Sequence, residues 1–374
     1  MVKPTTWGRI ALLASLLLIP VAYGLTLART VVYGDPTEYT FVANILGIAH
    51  PPGYAFYTLL GKLFQTLVPI GTIPWRMHLL SAVAATIGAL FVFGTVRAVA
   101  RILFASATKA GDTPRFTQWA LASAVFAALT VAFGVNYWQH AIHANPHIIT
   151  AAFLSANLFF LTRWATGGTS GRRWLYAFAF SAGLGITHHP LTVISLPAYL
   201  LFILIVQPRI WREWRVLLGA VAFGLLGLAV WLYFPLRSPM GPAFGPSTMN
   251  TLNGFLDHVL ARGLSESLPF IGAADVPARA VVFWSILRLQ YALPVIFLAL
   301  LGVAWPLFER RMPPATKDVC PSWKLIVLYV LVFLSNYAFV MSLRAQDIMA
   351  YILGMMLIVG LLAGIGLYGL LALT

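Results

Sequence analysis

The chain is short of charge, and of acid above all. Among 374 residues only 9% are Asp, Glu, Lys or Arg, and the acids number ten. A soluble globular domain carries about 25% charged residues, and so few cannot clothe one large water-soluble core. Cysteine is almost missing. The lone Cys320 excludes an internal disulfide framework and any multi-cysteine metal knuckle. What abounds is apolar: 60% of the residues are hydrophobic, including twelve Trp and twenty-five Phe. The net charge of +14 invites a nucleic-acid reading. The basic residues, however, stand in ones and twos between apolar runs, which is how membrane topology is signalled rather than how a binding stripe is built. No nucleic-acid partner is expected.

A spanning helix needs about 20 mainly apolar residues. Ten stretches read as spans: 10–28, 79–100, 119–135, 148–161, 174–187, 191–205, 216–234, 291–308, 325–341 and 349–371. Several are short or hold Gly and Pro, and those flanking His188, His189 and Pro190 can be two helices or one kinked one. The first follows a basic start, like a signal peptide, but its length and the spans behind it favour an uncleaved helix. The expected fold is an all-α polytopic membrane protein of about ten transmembrane helices, one membrane domain over residues 1–374. With the N-terminus in the cytoplasm, sixteen Lys and Arg fall inside and eight outside, the positive-inside direction. That places the chain in the cell (inner) membrane with both termini cytoplasmic. All eight histidines then lie outside, with six of the ten acids and the two longest outer segments, near 29–78 and 235–290. Chemistry is expected at the outer face.

The first outer segment reads GDPTEYTFVANILGIAHPPGY over residues 34–54. Asp35 or Thr37 can cap a short helix running through Glu38 toward Leu46, and Asp35 and Glu38 then share a face at its first turn. Phe41, Val42, Ile45 and Leu46 suit an amphipathic helix at the interface, and His50-Pro51-Pro52-Gly53 is expected to stop it. Two acids and His50 beside a rigid turn offer a general base near lipid. The plainer alternative makes the acids helix caps and His50 a turn residue.

The string resembles a bacterial multi-pass family of "domain of unknown function" membrane proteins. Their vertebrate relative is an endoplasmic-reticulum protein O-mannosyltransferase acting on plexin-type receptor domains. The resemblance is carried by GDPTE, by LGIAHPPGYAFYTLLGKLF (46–64) and by RMHLLSA (76–82). It continues more loosely through NYWQHAIHANPH (136–147), GLGITHHP (183–190), YFPLRS (233–238) and Asp347. It implies a GT-C-like glycosyltransferase that takes a hexose, mannose among the candidates, from a polyprenyl-phosphate sugar on the non-cytoplasmic side. The acceptor would be a hydroxyl of a protein Ser or Thr, a glycan or a lipid. It further implies that Asp35 is the catalytic acid residue, activating the acceptor while the lipid phosphate leaves with inversion. Two departures bear on acceptor and donor. A Glu-containing stretch of the family is replaced here by Trp138, Ala141, Ala144, Asn145 and His147, and an Asn-His pair by His188-His189.

Glu38 is expected to support Asp35. The further candidates for lining the substrate site are His50, Arg76, His78, Trp138, His143, His147, His188, His189, Arg237, Asp257, His258, Arg344 and Asp347. His140, His143 and His147 fall on one stripe if their segment is a single helix, although Pro146 interrupts it. With His188 and His189 they leave a divalent metal open, but substrate lining or ordinary hydrogen bonding at the interface each accounts for them more readily. No cofactor is expected. Arg237 and Arg344, and more weakly Arg76, can grip a lipid phosphate through the guanidinium fork, or merely meet anionic headgroups. The loop Gly241–Val259 can lie over a cavity and select the acceptor. Two rival classes stand beside the enzyme: a transporter or lipid flippase, which more often carries ionisable groups at mid-membrane on repeated broken helices, and a non-catalytic lipid-binding or assembly subunit.

Overall fold

The computed structural model describes residues 6–107, 113–167, 171–263, 272–309, 320–343 and 348–372. Among them every regular element is helical. The chain enters through α1 (Thr6–Ser15) and α2 (Leu18–Thr26), then builds α3 (Asp35–Ile45) and α4 (Ala55–Leu67) before the long α5 (Ile73–Ala107). α6 (Thr113–Ala132) is followed by the short α7 (Val135–Ala141), then α8 (Pro146–Thr166), α9 (Arg172–His188), α10 (Leu191–Ile194) and α11 (Leu196–Val206). α12 (Trp214–Leu228), α13 (Tyr233–Arg237) and α14 (Leu252–Val259) lead to α15 (Val276–Gln290) and α16 (Leu293–Glu309). The described chain closes with α17 (Ser322–Ser342), α18 (Ile348–Tyr351) and α19 (Leu353–Ala372).

Among the described residues six stretches are long and apolar enough to cross a bilayer, or eight if each of two bent pairs counts as one span. All ten stretches read from the sequence are helical, but α9 has 17 residues and Leu191–Val206 is also short. These two are separate helices, not one kinked helix. His189 is fully extended (φ −155°, ψ 138°) and Pro190 withholds an N–H, so α9 ends at His188. The bent pairs break by 68° after Ala132 and by 111° after Gln290.

α19 forms the axis, with most of its residues buried, and packs against α5, α6, α8, α16 and α17. Its uninterrupted apolar sequence is that of a helix covered on all sides. α12, by contrast, touches mainly α9 and shows Leu218, Val221, Leu225 and Leu226 to the surroundings, as a lipid-facing helix does. At one end of this bundle the start of α5, the start of α8, the end of α9 and the segment carrying α3 and α4 meet.

Candidate active site

α3 begins at Gly34, whose φ of +90° suits only glycine without strain, and carries Asp35 and Pro36 in its first turn. Neither Asp35 nor Thr37 caps the helix. Thr37 Oγ1 donates instead to Val32 O, and the Asp35 side chain stays 68% exposed. α3 ends at Leu46, in the left-handed region, where the Gly47 N–H bonds Val42 O. The HPPG turn expected to stop it lies further on. There the Gly53 N–H closes on His50 O at 2.8 Å and sends the chain into α4.

The effect of this turn is to fold His50 back over the first turn of α3. Glu38 receives it twice: Oε1 accepts the His50 backbone N–H at 2.7 Å, and Oε2 lies 2.9 Å from Nδ1. The other ring nitrogen, Nε2, stands 3.9 Å from Asp35 Oδ2, with the Tyr39 hydroxyl 3.5 Å from both. Partial burial pushes the Glu38 carboxyl up, but the two hydrogen bonds and the charge of His50 outweigh it and hold the group below its ordinary value. Glu38 in turn raises the imidazole above its ordinary value, against partial desolvation.

The return loop is strapped from the far side by the segment that carries α13 and α14. Arg237 Nε donates to Leu46 O and the Tyr233 hydroxyl to Gly47 O, both at 2.7 Å. The Ile48 N–H bonds Phe244 O at 2.9 Å, and His258 Nε2 lies 2.9 Å from Ala49 O. His258 is lowered by burial, more than the carbonyl it binds restores. Asp257, one residue earlier, pairs outward with Arg262 at 2.8 Å.

The remaining candidates separate into two groups. His188 and His189 stack toward Tyr54, which itself packs on His50 and Tyr39, and His147 meets His189 at 4.9 Å between ring centroids. These rings form one continuous path from the acid loop into the bundle. It ends at Tyr351 and a cavity of mixed lining, about 20 Å³ in volume, to which His147, Asn157, Ser195 and Asn336 bring polar groups, room for about one water. The second group makes structural hydrogen bonds elsewhere, to backbone except for Trp138, which donates to the Thr26 hydroxyl. His78 bridges Thr30 O and the Ala144 N–H, Arg76 binds Gln65 O and Ile70 O, Trp138 binds Thr26, and His143 binds Gln139 O. The histidine stripe is divided, because α7 ends before Pro146 opens a new helix. Among the described residues no three His, Cys, Asp or Glu side chains converge as metal ligands. Arg344 and Asp347 lie outside the described residues.

Tyr39, Tyr54 and Tyr351 belong to this site and were not singled out from the sequence. The first two sit beside Glu38 and the HPPG turn, and that adjacency was the available signal. Below them, α5, α8 and α9 leave an apolar groove of about 330 Å³ lined by Ile87, Phe91, Phe153, Phe160, Phe180 and Leu184 among others. Its Ile87 and Phe180 are exposed on the bundle surface. Phe153 packs on both Phe56 and His188, so the groove abuts the ring path.

The arrangement of helices is that of a solved membrane protein. ArnT from Cupriavidus metallidurans bound to undecaprenyl phosphate matches with a TM-score of 0.60 at 16% identity, covering 97% of this chain and 60% of that one. Its apo structure gives 0.52, with 96% and 59% covered. The protein is therefore a multi-pass helical membrane protein with a GT-C-like fold. Residues 35–212, beginning at Asp35 itself, match the family described as the protein O-mannosyl-transferase TMEM260 N-terminal domain. Protein O-mannosyl-transferase tmem260 of Dictyostelium discoideum is 26% identical over 254 residues, 64% of this chain and 29% of that protein. Its namesake from Mus musculus is 30% identical over 261 residues, 67% of this chain and 33% of that protein. The chain thus spans about a third of the length of these curated relatives, and it is related to the O-mannosyltransferase-related, GT-C-like TMEM260 family.

Proposed function

We propose that the protein transfers a hexosyl group, mannose by analogy with its relatives, from a polyprenyl-phosphate sugar to a hydroxyl acceptor at the non-cytoplasmic membrane face. The observation that carries this reading is an exposed carboxylate, Asp35, that serves no cap and stands beside a hydrogen-bonded Glu38–His50 pair at the end of an apolar helical bundle. Asp35 accepts the proton of the acceptor hydroxyl as its oxygen attacks the anomeric carbon. The bond from that carbon to the phosphate oxygen breaks, and the lipid phosphate departs from the opposite face with inversion. Arg237 supplies charge-assisted donors to the departing phosphate, since its bonds to Leu46 O and the Tyr233 hydroxyl do not use up the five N–H groups of its fork. The groove between α5, α8 and α9 suits an isoprenoid chain, and the relative solved with undecaprenyl phosphate supports a donor of that class. The acceptor is the less constrained partner. A protein Ser or Thr follows the relatives' name, and a glycan or lipid hydroxyl fits the same chemistry.

The test is transfer of labelled sugar from a panel of lipid-linked donors by the purified protein, with Asp35→Asn alongside. Asn preserves shape and helix compatibility but cannot take the proton. Expression and donor binding should persist while turnover falls about 10²-fold or more. Near-wild-type turnover at saturating donor and acceptor would remove Asp35 from the chemistry.

A further inference from the structure

We infer that His50 is a positioning residue for Asp35: an arm that Glu38 grips at one end and whose other end steadies the Asp35 carboxylate. The inference rests on the reading above for what Asp35 does, but not for how it is held.

The geometry is specific. Glu38 uses one oxygen for the His50 backbone N–H and the other for Nδ1, so both the position and the ring orientation of His50 are set by a single side chain. Tyr39 and Tyr54 close on the ring at 5.6 Å between centroids, which removes the freedom to swing out. Nδ1 faces Glu38, which turns Nε2 toward Asp35 and the Tyr39 hydroxyl that lies 3.5 Å from both. At 3.9 Å the approach is a charge contact and not a hydrogen bond, so His50 orients the carboxylate without handing it a proton. A doubly protonated ring satisfies both acids at once, and Glu38 biases the ring toward that state. The charged and titratable groups facing His50 are Glu38, Asp35 and Tyr39 from α3 and Tyr54 before α4. His147, His189 and His258 stand farther off and feel its charge.

Two measurements decide it. In the first, ¹⁵N-histidine NMR of the detergent-solubilised full chain follows the His50 ring, its signal assigned by loss in His50→Asn. Its titration midpoint should lie above the ordinary imidazole value and fall in Glu38→Gln. In Asp35→Asn it should also fall, by about half a pH unit or more. A midpoint indifferent to Asp35→Asn overturns the proposal. In the second, kcat/KM is profiled against pH. The alkaline limb should move to lower pH in Glu38→Gln and vanish in His50→Asn, with kcat down about tenfold and donor KM little changed. An alkaline limb that Glu38→Gln leaves in place also overturns it, since a purely structural Glu38–His50 contact would lower yield without moving the profile. Absence of turnover with every donor would sink the transferase reading, while the NMR arm still decides whether His50 holds Asp35.

Discussion

Glu38 and His50 are twelve residues apart in sequence and answer to pH with opposite signs. The folded carboxyl lies below its ordinary value, so its contribution to stability is present above the unfolded carboxylate range and is lost as pH falls through the folded pKa. The folded imidazole lies above its ordinary value. Its contribution is full below about 6.5 and is lost as pH rises through the folded pKa. The pair therefore supports the loop most in a window near pH 5 to 6, at roughly the ordinary values of the two groups. Thermal denaturation in detergent should show the largest deficit of Glu38→Gln against wild type in that window, shrinking toward pH 9. A deficit that holds constant into the alkaline range would mean the pair carries no titrating charge. The residue types of this site stood out in the sequence because acids and histidines are rare in an apolar chain. The pairing did not: helical spacing put Glu38 with Asp35, whereas Glu38 is turned to a residue that only a folded-back loop delivers.

That loop is held by features of local geometry. Residues 46–49 offer carbonyl and amide groups to Arg237, Tyr233, Phe244 and His258, so α13, α14 and the chain between them act as a clasp on the acid loop. Gly53 sits under the clasp at φ +90°, and a Cβ there would meet Phe234 Cζ at 2.6 Å and His258 Cδ2 at 3.1 Å. Gly53→Ala is expected to lower thermal stability by about 1–3 kcal/mol through backbone strain and the displaced ring, and to open residues 46–53 to limited proteolysis. Gly34→Ala has the same backbone penalty but finds only Pro36 Cδ at 3.9 Å, so its loss should be the smaller of the two. Equal losses would put the cost in the backbone alone. The helix from Asp35 was legible from its turn residues and apolar spacing. Its reach toward Leu46 was legible too, but what stops it was not, because a left-handed leucine at position 46 has no sequence signature, whereas HPPG advertises a stop.

Among the described residues, apolar runs were sufficient to locate most helices of the bundle, but they left α15, one half of a bent apolar pair, inside the segment read as outer near 235–290. They could not show the 68° and 111° bends, which arise where two packed elements meet and not from composition. The sidedness inferred from basic residues is open to direct measurement. In a Cys320→Ser background, cysteine at the exposed position of Asp257 should label from outside intact cells, and cysteine at Arg172 only after permeabilisation. External labelling at Arg172 would invert the orientation.

The apolar groove between α5, α8 and α9 has a kinetic consequence. A donor seated there, with Ile87 and Phe180 facing the acyl chains, arrives by lateral diffusion within the bilayer and not from bulk water. Its effective concentration is then its mole fraction among the surrounding lipids. In proteoliposomes, diluting the donor with inert phospholipid at constant bulk amount should raise the apparent KM in proportion, whereas diluting the vesicles in buffer should leave the rate per protein unchanged.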